Sequence, residues 1–163
     1  MIAVATAARS TLLAIPGRQS GHVQLIHLPP CRISASVASP AQNLEDFLSP
    51  IKLFKNSISI IAAHTTALTA LSVVPSGRLL ATTSARGTLL RVWDAYSGRL
   101  IREFRRGMDK AEIYGIAFRP DEQEICVWSD KGTLHIFCLS GDYGIVQVMF
   151  LLPIQENLMQ AYF

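Results

Sequence analysis

Apolar and polar residues alternate along much of this chain. Residues 68–93 read LTALSVVPSGRLLATTSARGTLLRVW, with turn-forming residues at Pro75-Ser76-Gly77 and again at Gly87. A period of two between turn signals is typical of β-strands that bury one face. β-Branched and aromatic residues fill the runs between the turns, which favours strands over helices. The segment predicts three antiparallel strands, and Leu100 to Phe104 predicts a fourth.

The same pattern returns further along the chain. Residues 113–137 read IYGIAFRPDEQEICVWSDKGTLHIF and align with residues 68–93 at an offset of 45 residues, with one gap after the Gly-Thr turn. A weaker copy lies near the N-terminus, where GHVQLIHL (21–28) matches GTLLRVWD (87–94). Four strands in about 45 residues is the size of one β-propeller blade. The repeat therefore predicts an all-β, partial β-propeller of WD-repeat type with four-stranded antiparallel blades.

About three blades can be counted, and propellers close with about four to eight. We therefore expect this chain to be a fragment of a longer propeller. The segment 29–59 is rich in proline and serine, and we interpret it as a loop insertion between two blades with a short helix near Leu44–Leu48. The predicted organisation is a single partial propeller with blade strands in 1–28, the insertion in 29–59, a blade in 60–107, a following blade in 111–139 and an irregular or membrane-facing tail in 140–163. Within that tail, Gly144–Phe150 fits a core strand equally well.

Composition narrows the class of protein. Half of the 163 residues are apolar and 17% are charged, which excludes an intrinsically disordered chain. The net charge of +3 is too small to indicate nucleic-acid binding by itself. The basic character is local, because six arginines and only two acidic residues lie between Arg86 and Arg106.

The sequence lacks the motifs that would indicate a disulfide-rich, zinc-binding, membrane-spanning or catalytic protein. The three cysteines form no C-x-x-C pair, so neither a disulfide framework nor a zinc site is expected, and a reducing compartment fits better. The most apolar stretch, Gly144 to Ile154, is shorter than the roughly 20 residues that span a bilayer. No hydrolase, metalloprotease or nucleotide-binding motif is present. We expect a soluble cytosolic protein that is not an enzyme and uses no cofactor or metal.

The run Phe104-Arg105-Arg106-Gly107 stands between two blades that each carry a Gly-Thr turn. With AH-x-x-x-L-x-x-L and GRLLATTSARGTLLRVWD upstream and VWSDKGTLHIF downstream, it resembles the PROPPIN family of WD-repeat-like propellers. Residues 11–28 and 60–139 carry the resemblance, which implies about three blades out of seven. It also implies recognition of phosphatidylinositol 3-phosphate and phosphatidylinositol 3,5-bisphosphate in autophagy and vacuolar or endolysosomal trafficking. The implied location is cytoplasmic, peripheral on autophagosomal precursor, vacuolar or endosomal membranes, with partners from the autophagy machinery.

The two arginines can be interpreted physically. Neighbouring residues of a strand point to opposite sides, so Arg105 and Arg106 are expected to serve two separate pockets. A guanidinium suits phosphate because its planar fork gives two parallel, charge-assisted hydrogen bonds. The resemblance implies a first site of His64, Ser84, Thr88, Arg91 and Arg105. It implies a second site of Arg106, Ser129, Thr133 and His135.

Other interpretations stay open at this point. His64 and His135 also fit half-buried structural histidines, and the serines and threonines also fit turn caps. Trp93, Trp128 and Phe137 are expected in the blade core. The family's long apolar loop after the strand of His135 has no close match here. The alternative function is a generic WD-repeat scaffold for protein partners without lipid specificity.

Overall fold

The computed structural model describes residues 1–6, 12–28, 57–140 and 145–150. These residues form three four-stranded antiparallel sheets, in the orders β1-β2-β3-β4, β5-β6-β7-β8 and β9-β10-β11-β12. The strands are β1 (Ala3–Val4), β2 (Leu12–Pro16), β3 (His22–His27), β4 (Ser57–Ala62), β5 (Leu68–Val73), β6 (Leu79–Ser84), β7 (Leu89–Asp94), β8 (Leu100–Arg105), β9 (Ile113–Phe118), β10 (Glu124–Ser129), β11 (Thr133–Cys138) and β12 (Ile145–Phe150).

The sheets are arranged as blades of a propeller. Each is a meander whose first strand lies innermost, and β5 contacts both β1 and β9. This confirms the predicted fold class, an all-β partial propeller. Within the described residues there is no helix long and apolar enough to cross a membrane.

Two hydrophobic cores hold the sheets together. Between the second and third sheets, Leu90 and Val92 pack with Ile125 and Phe137, and the rings of Phe104 and Phe137 stack at 4.8 Å between centroids. Between the first and second sheets, the buried side chains are Ala14, Val23, Leu25, Ile61, Leu80 and Trp93. The core positions predicted for Trp93 and Phe137 are confirmed. Trp128 is only partly buried and meets Tyr114 edge to face.

The insertion lies elsewhere than predicted. Strand β4 pairs with β3 over its whole length, from His22 opposite Ala62 to His27 opposite Ser57. The interruption therefore falls inside the first sheet, between its third and fourth strands, and not between two blades. The physical reason is that Ser57–Ala62 buries Ile61 in the first core and completes that blade. The second blade accordingly begins at Leu68 and not at residue 60, and the helix expected near Leu44–Leu48 lies outside the described residues.

Part of the segment predicted as an irregular tail, residues 140–163, is a β-strand. Ile145–Phe150 is a regular strand paired with β11, with Thr133 opposite Phe150 and Leu134 opposite Met149. The sequence predicts an irregular tail for 140–163, whereas the backbone of these six residues forms the outermost strand of the third sheet. The reason is that β11 would otherwise leave its outer backbone groups unpaired. Residues 141–144 and 151–163 lie outside the described part of the chain.

The far face of the first sheet is apolar and exposed. Val4, Ile58 and Ile60 have 56%, 57% and 68% of their surface exposed. In a propeller a neighbouring blade covers such a face, and patches of this kind are otherwise interaction or aggregation sites. The expectation that this chain is part of a longer propeller agrees with this surface and stays a prediction.

Candidate functional site

The Phe-Arg-Arg-Gly run stands at the end of β8, where the strand leaves the second sheet. Phe104 is buried against the third sheet, and Arg105 pairs with Leu89 on the opposite face, towards the first sheet. Arg106 then returns to the third-sheet side and is 7% exposed, whereas Arg105 is exposed. The two guanidinium groups therefore serve different sides of the second blade.

Arg106 is held by backbone carbonyls. Its Nε donates to the Gly87 carbonyl at 2.5 Å, and an Nη nitrogen donates to the Asp109 carbonyl at 2.7 Å. No carboxylate of the described residues lies within ion-pair distance of this guanidinium. A buried cation normally has a counter-charge, because removing a charge from water is costly. The guanidinium is thus positioned while its charge stays available to an anion.

The third sheet places polar groups beside Arg106. His135 pairs with Val127, a residue of the core between the second and third sheets, so its ring faces the second blade. Its Nε2 lies 3.1 Å from the Thr133 hydroxyl. Burial lowers the pKa of His135, and the charge of Arg106 lowers it further, so the ring is neutral near pH 7.

Two of these groups have no partner. His135 Nδ1 and Ser129 Oγ are buried and make no hydrogen bond to any described residue. Unsatisfied buried polar atoms are rare in folded proteins and each costs about 1–3 kcal/mol. A ligand with several acceptor oxygens would satisfy the serine hydroxyl and Arg106 together. Arg106 lies close enough to His135 to act on its charge, His135 contacts Thr133, and Ser129 is the last residue of the adjacent strand β10. That Arg106, Ser129, Thr133 and His135 form one site stays a prediction.

The residues predicted for the first site differ from those of the second site, because one of their arginines is paired with a carboxylate. Ser84 is buried and Thr88 is half-buried, at the two ends of the turn that follows β6. Arg91 lies on the same face of the second sheet as Arg105. Its Nε donates to Glu103 Oε2 at 2.8 Å, and an Nη nitrogen donates to the Ala63 carbonyl at 2.6 Å. Sequence reasoning missed Glu103, although its position two residues before Arg105 on one strand already places both on one face.

The contacts of His64 support its structural alternative. It is 8% exposed, and its Nε2 lies 2.9 Å from the Thr82 hydroxyl, which also accepts the indole N–H of Trp93 at 3.0 Å. Burial, reinforced by the charge of Arg91, lowers the pKa of His64 to about 4. A neutral ring that accepts the Thr82 hydrogen completes the network. These contacts give His64 a structural role between the first and second blades, and its place in the first site stays a prediction.

The turn at Gly87 supports Arg106 directly. Gly87 has a φ of +63°, and a Cβ there would lie 1.9 Å from the Ala111 carbonyl oxygen. Gly98 has a similar φ of +68°, but its nearest neighbour would be Ile61 Cγ1 at 3.5 Å. Backbone strain is common to both positions, and the collision occurs only at Gly87.

We expect Gly87→Ala to lower the free energy of unfolding by more than the matched control Gly98→Ala. Left-handed strain costs about 1–2 kcal/mol at either position, and the clash with Ala111 adds to it only at Gly87. Urea denaturation of the two variants measures the difference. Equal losses would show that the Ala111 loop moves freely away from the turn.

Comparison with known proteins agrees with the fold described above. The PROPPIN family model matches residues 10–143. The chain is 35% identical over 132 residues to SVP1-like protein 2 of Pichia angusta, covering 81% of this chain and 31% of that protein. It is 44% identical over 87 residues to Autophagy-related protein 18e of Arabidopsis thaliana, covering 53% of this chain and 23% of that protein.

A solved structure shows the same architecture. Kluyveromyces lactis Hsv2 superposes with a TM-score of 0.66 at 26% identity, over 86% of this chain and 38% of that one. The chain thus spans about a third or less of the curated relatives named above and under two fifths of this solved structure. The repeat, the blade topology and the family match over most of its length lead to one conclusion: the chain belongs to the PROPPIN family.

Proposed function

We propose that this chain carries the headgroup-binding part of a peripheral membrane protein that recognises phosphoinositides. The lipids are phosphatidylinositol 3-phosphate and phosphatidylinositol 3,5-bisphosphate, and the setting is autophagy and vacuolar or endolysosomal trafficking. The observation that carries the proposal is the buried Arg106 beside His135, whose Nδ1 has no partner among the described residues. The Ser129 Oγ, also unpaired there, stands at the end of the adjacent strand β10. The name of the Arabidopsis relative, an autophagy-related protein, supports the setting.

Binding involves no change of covalent bonds. A phosphate monoester has about −1.5 to −2 charges near pH 7 and three strong acceptor oxygens. Arg106 supplies the positive charge from a position already held by the Gly87 and Asp109 carbonyls, so little side-chain entropy is lost on binding. The Ser129 hydroxyl adds a donor without negative charge. Because Arg106 and Ser129 are buried, these contacts are stronger than they would be in water.

Two sites on one blade edge would act together. A headgroup at Arg105 and another at Arg106 belong to the same membrane, so the second contact forms at a high effective concentration. Moderate affinity at each site then gives firm recruitment to membranes rich in the lipid. On this proposal the protein is cytoplasmic, moves to autophagosomal precursor, vacuolar or endosomal membranes, and meets partners of the autophagy machinery there.

Vesicle flotation of the full-length protein that contains this chain tests the proposal. We expect flotation with vesicles that contain phosphatidylinositol 3-phosphate or phosphatidylinositol 3,5-bisphosphate. Weak flotation is expected with phosphatidylinositol 4-phosphate and with vesicles that contain only phosphatidylserine as the anionic lipid. Equal flotation on all anionic vesicles, or none on any, would contradict the proposal and favour the protein scaffold.

A further inference from the structure

The two sides of the second blade, one facing Arg105 and the other facing Arg106, differ in whether a carboxylate lies next to the arginines. On the Arg106 side no described carboxylate lies within ion-pair distance. On the Arg105 side the second cation, Arg91, already forms an ion pair with Glu103, with 2.8 Å between Nε and Oε2. The carboxylate stands on β8 two residues before Arg105. Among the charges that the structure describes, a negative one is therefore built into the first site and not into the second.

The register makes Glu103 a direct competitor for a headgroup. Glu103 pairs with Arg91 across β7 and β8, and Arg105 pairs with Leu89 at the neighbouring same-face position. Same-face neighbours along a strand are about 6.6 Å apart, so the carboxylate lies within the reach of a phosphate held by Arg105. An anion bound between Arg91 and Arg105 must displace Glu103 or tolerate its repulsion.

The Glu103 carboxylate can also move away from Arg91. The side chains of Arg91 and Glu103 are 26% and 39% exposed, so the pair is in contact with water on one side. Arg91 keeps its second anchor, the Ala63 carbonyl at 2.6 Å, when the carboxylate swings away. Partly exposed ion pairs are worth little and exchange with other anions at modest cost.

We propose that Glu103 is an affinity-determining residue that occupies the first site as an internal anion, making it the weaker of two unequal headgroup sites. The inference rests on the proposed function, because it assumes that Arg91 and Arg105 receive a phosphorylated headgroup. The Arg106 site is then the one occupied first. The first site fills only when the lipid is dense enough to displace the carboxylate.

The test uses Glu103→Gln in the full-length protein, since glutamine keeps the shape and removes the charge. The probe is soluble inositol 1,3-bisphosphate, measured by titration calorimetry. In an Arg106→Ala background, which leaves only the first site, we expect Glu103→Gln to strengthen binding about threefold, the order expected for a partly exposed ion pair. In an Arg105→Ala background, which leaves the second site, the same change should have no effect.

Glu124→Gln is the matched control. Glu124 accepts from Arg119 at 2.7 Å at the opposite end of the strands, so this variant also removes one charge and one ion pair. An equal gain in both variants would mean general electrostatics and would overturn the inference. So would headgroup binding by the parent with no gain in Glu103→Gln. No headgroup binding by the parent or any variant would overturn the proposed function itself, and the inference with it.

Discussion

Replacing Arg106 by alanine in the full-length protein is expected to weaken binding to vesicles with phosphatidylinositol 3-phosphate by about tenfold or more. Hydrogen bonds to charged groups are worth about 1.5–3 kcal/mol each, and this guanidinium is buried and fixed before the ligand arrives. Arg105→Ala should cost less, because Arg105 is exposed and shares its side with Glu103. The double variant should lose nearly all recruitment, because linked sites multiply their affinities.

Matched variants separate the chemistry of the site from net charge and folding. Arg99→Ala removes an exposed arginine just before the same strand and should leave flotation close to that of the parent. Arg106→Lys should restore only part of the loss, since an ammonium keeps the charge without the bidentate fork. Ser129→Ala should weaken the parent but add little in an Arg106→Ala background, as expected for residues of one site.

Circular dichroism melts show whether each of these variants is folded. A folded double variant that floats as well as the parent would disprove the role of the arginine pair. A folded Arg105→Ala that loses more binding than Arg106→Ala would contradict the order of the two sites.

Lowering the pH from about 6.5 to about 4 is expected to remove about 3 kcal/mol of folding stability through His64 alone. The pKa of His64 is lowered to about 4 in the folded chain by its burial and by the charge of Arg91, with Glu103 opposing. Between the two pKa values the unfolded chain binds a proton that the folded chain does not. The stabilisation is thus complete above about pH 6.5 and is lost as the pH falls. His135, whose pKa is also lowered, acts in the same direction.

Urea denaturation at a series of pH values between 4 and 8 measures this dependence. His64→Gln should flatten the pH dependence and reduce stability at pH 7, since the Thr82 hydroxyl loses its contact with the His64 ring and keeps only the one with Trp93. His22→Gln, which removes a histidine and leaves the His64 contacts intact, is the matched control for folding. An unchanged slope in His64→Gln would mean that His64 does not stay neutral in the folded chain.

Patterns between residues close in the sequence were sufficient to predict the blade architecture. The period of two, the Gly and Pro turns and the offset of 45 residues predicted four-stranded blades, because each blade is built from contacts between strands close in sequence. The opposite directions of Arg105 and Arg106 follow from the same alternation. The sequence alone does not predict the Ile145–Phe150 strand, because this segment has no partner in the repeat, and only the pairing with β11 identifies it.

The placement of strand β4 and the contacts of His64 depend on pairing between residues far apart in the sequence. Ser57–Ala62 joins β3 across an interruption of about thirty residues, and no local pattern tells which blade receives such a strand. His64 meets Thr82, 18 positions away, and Thr82 in turn accepts from Trp93, so the structural role of His64 becomes visible only when the sheets are assembled.

The chain's sequence by itself determined the fold class, the position of the arginine pair and the polar residues around it. Only the tertiary structure decided that Arg106 has no ion-pair partner among the described residues and lies beside His135 with its unpaired Nδ1, while Arg91 is ion-paired with Glu103. The physical reason is that alternation along one strand sets which face a side chain takes. Its burial and its charge partners depend on the neighbouring strands and blades that face it.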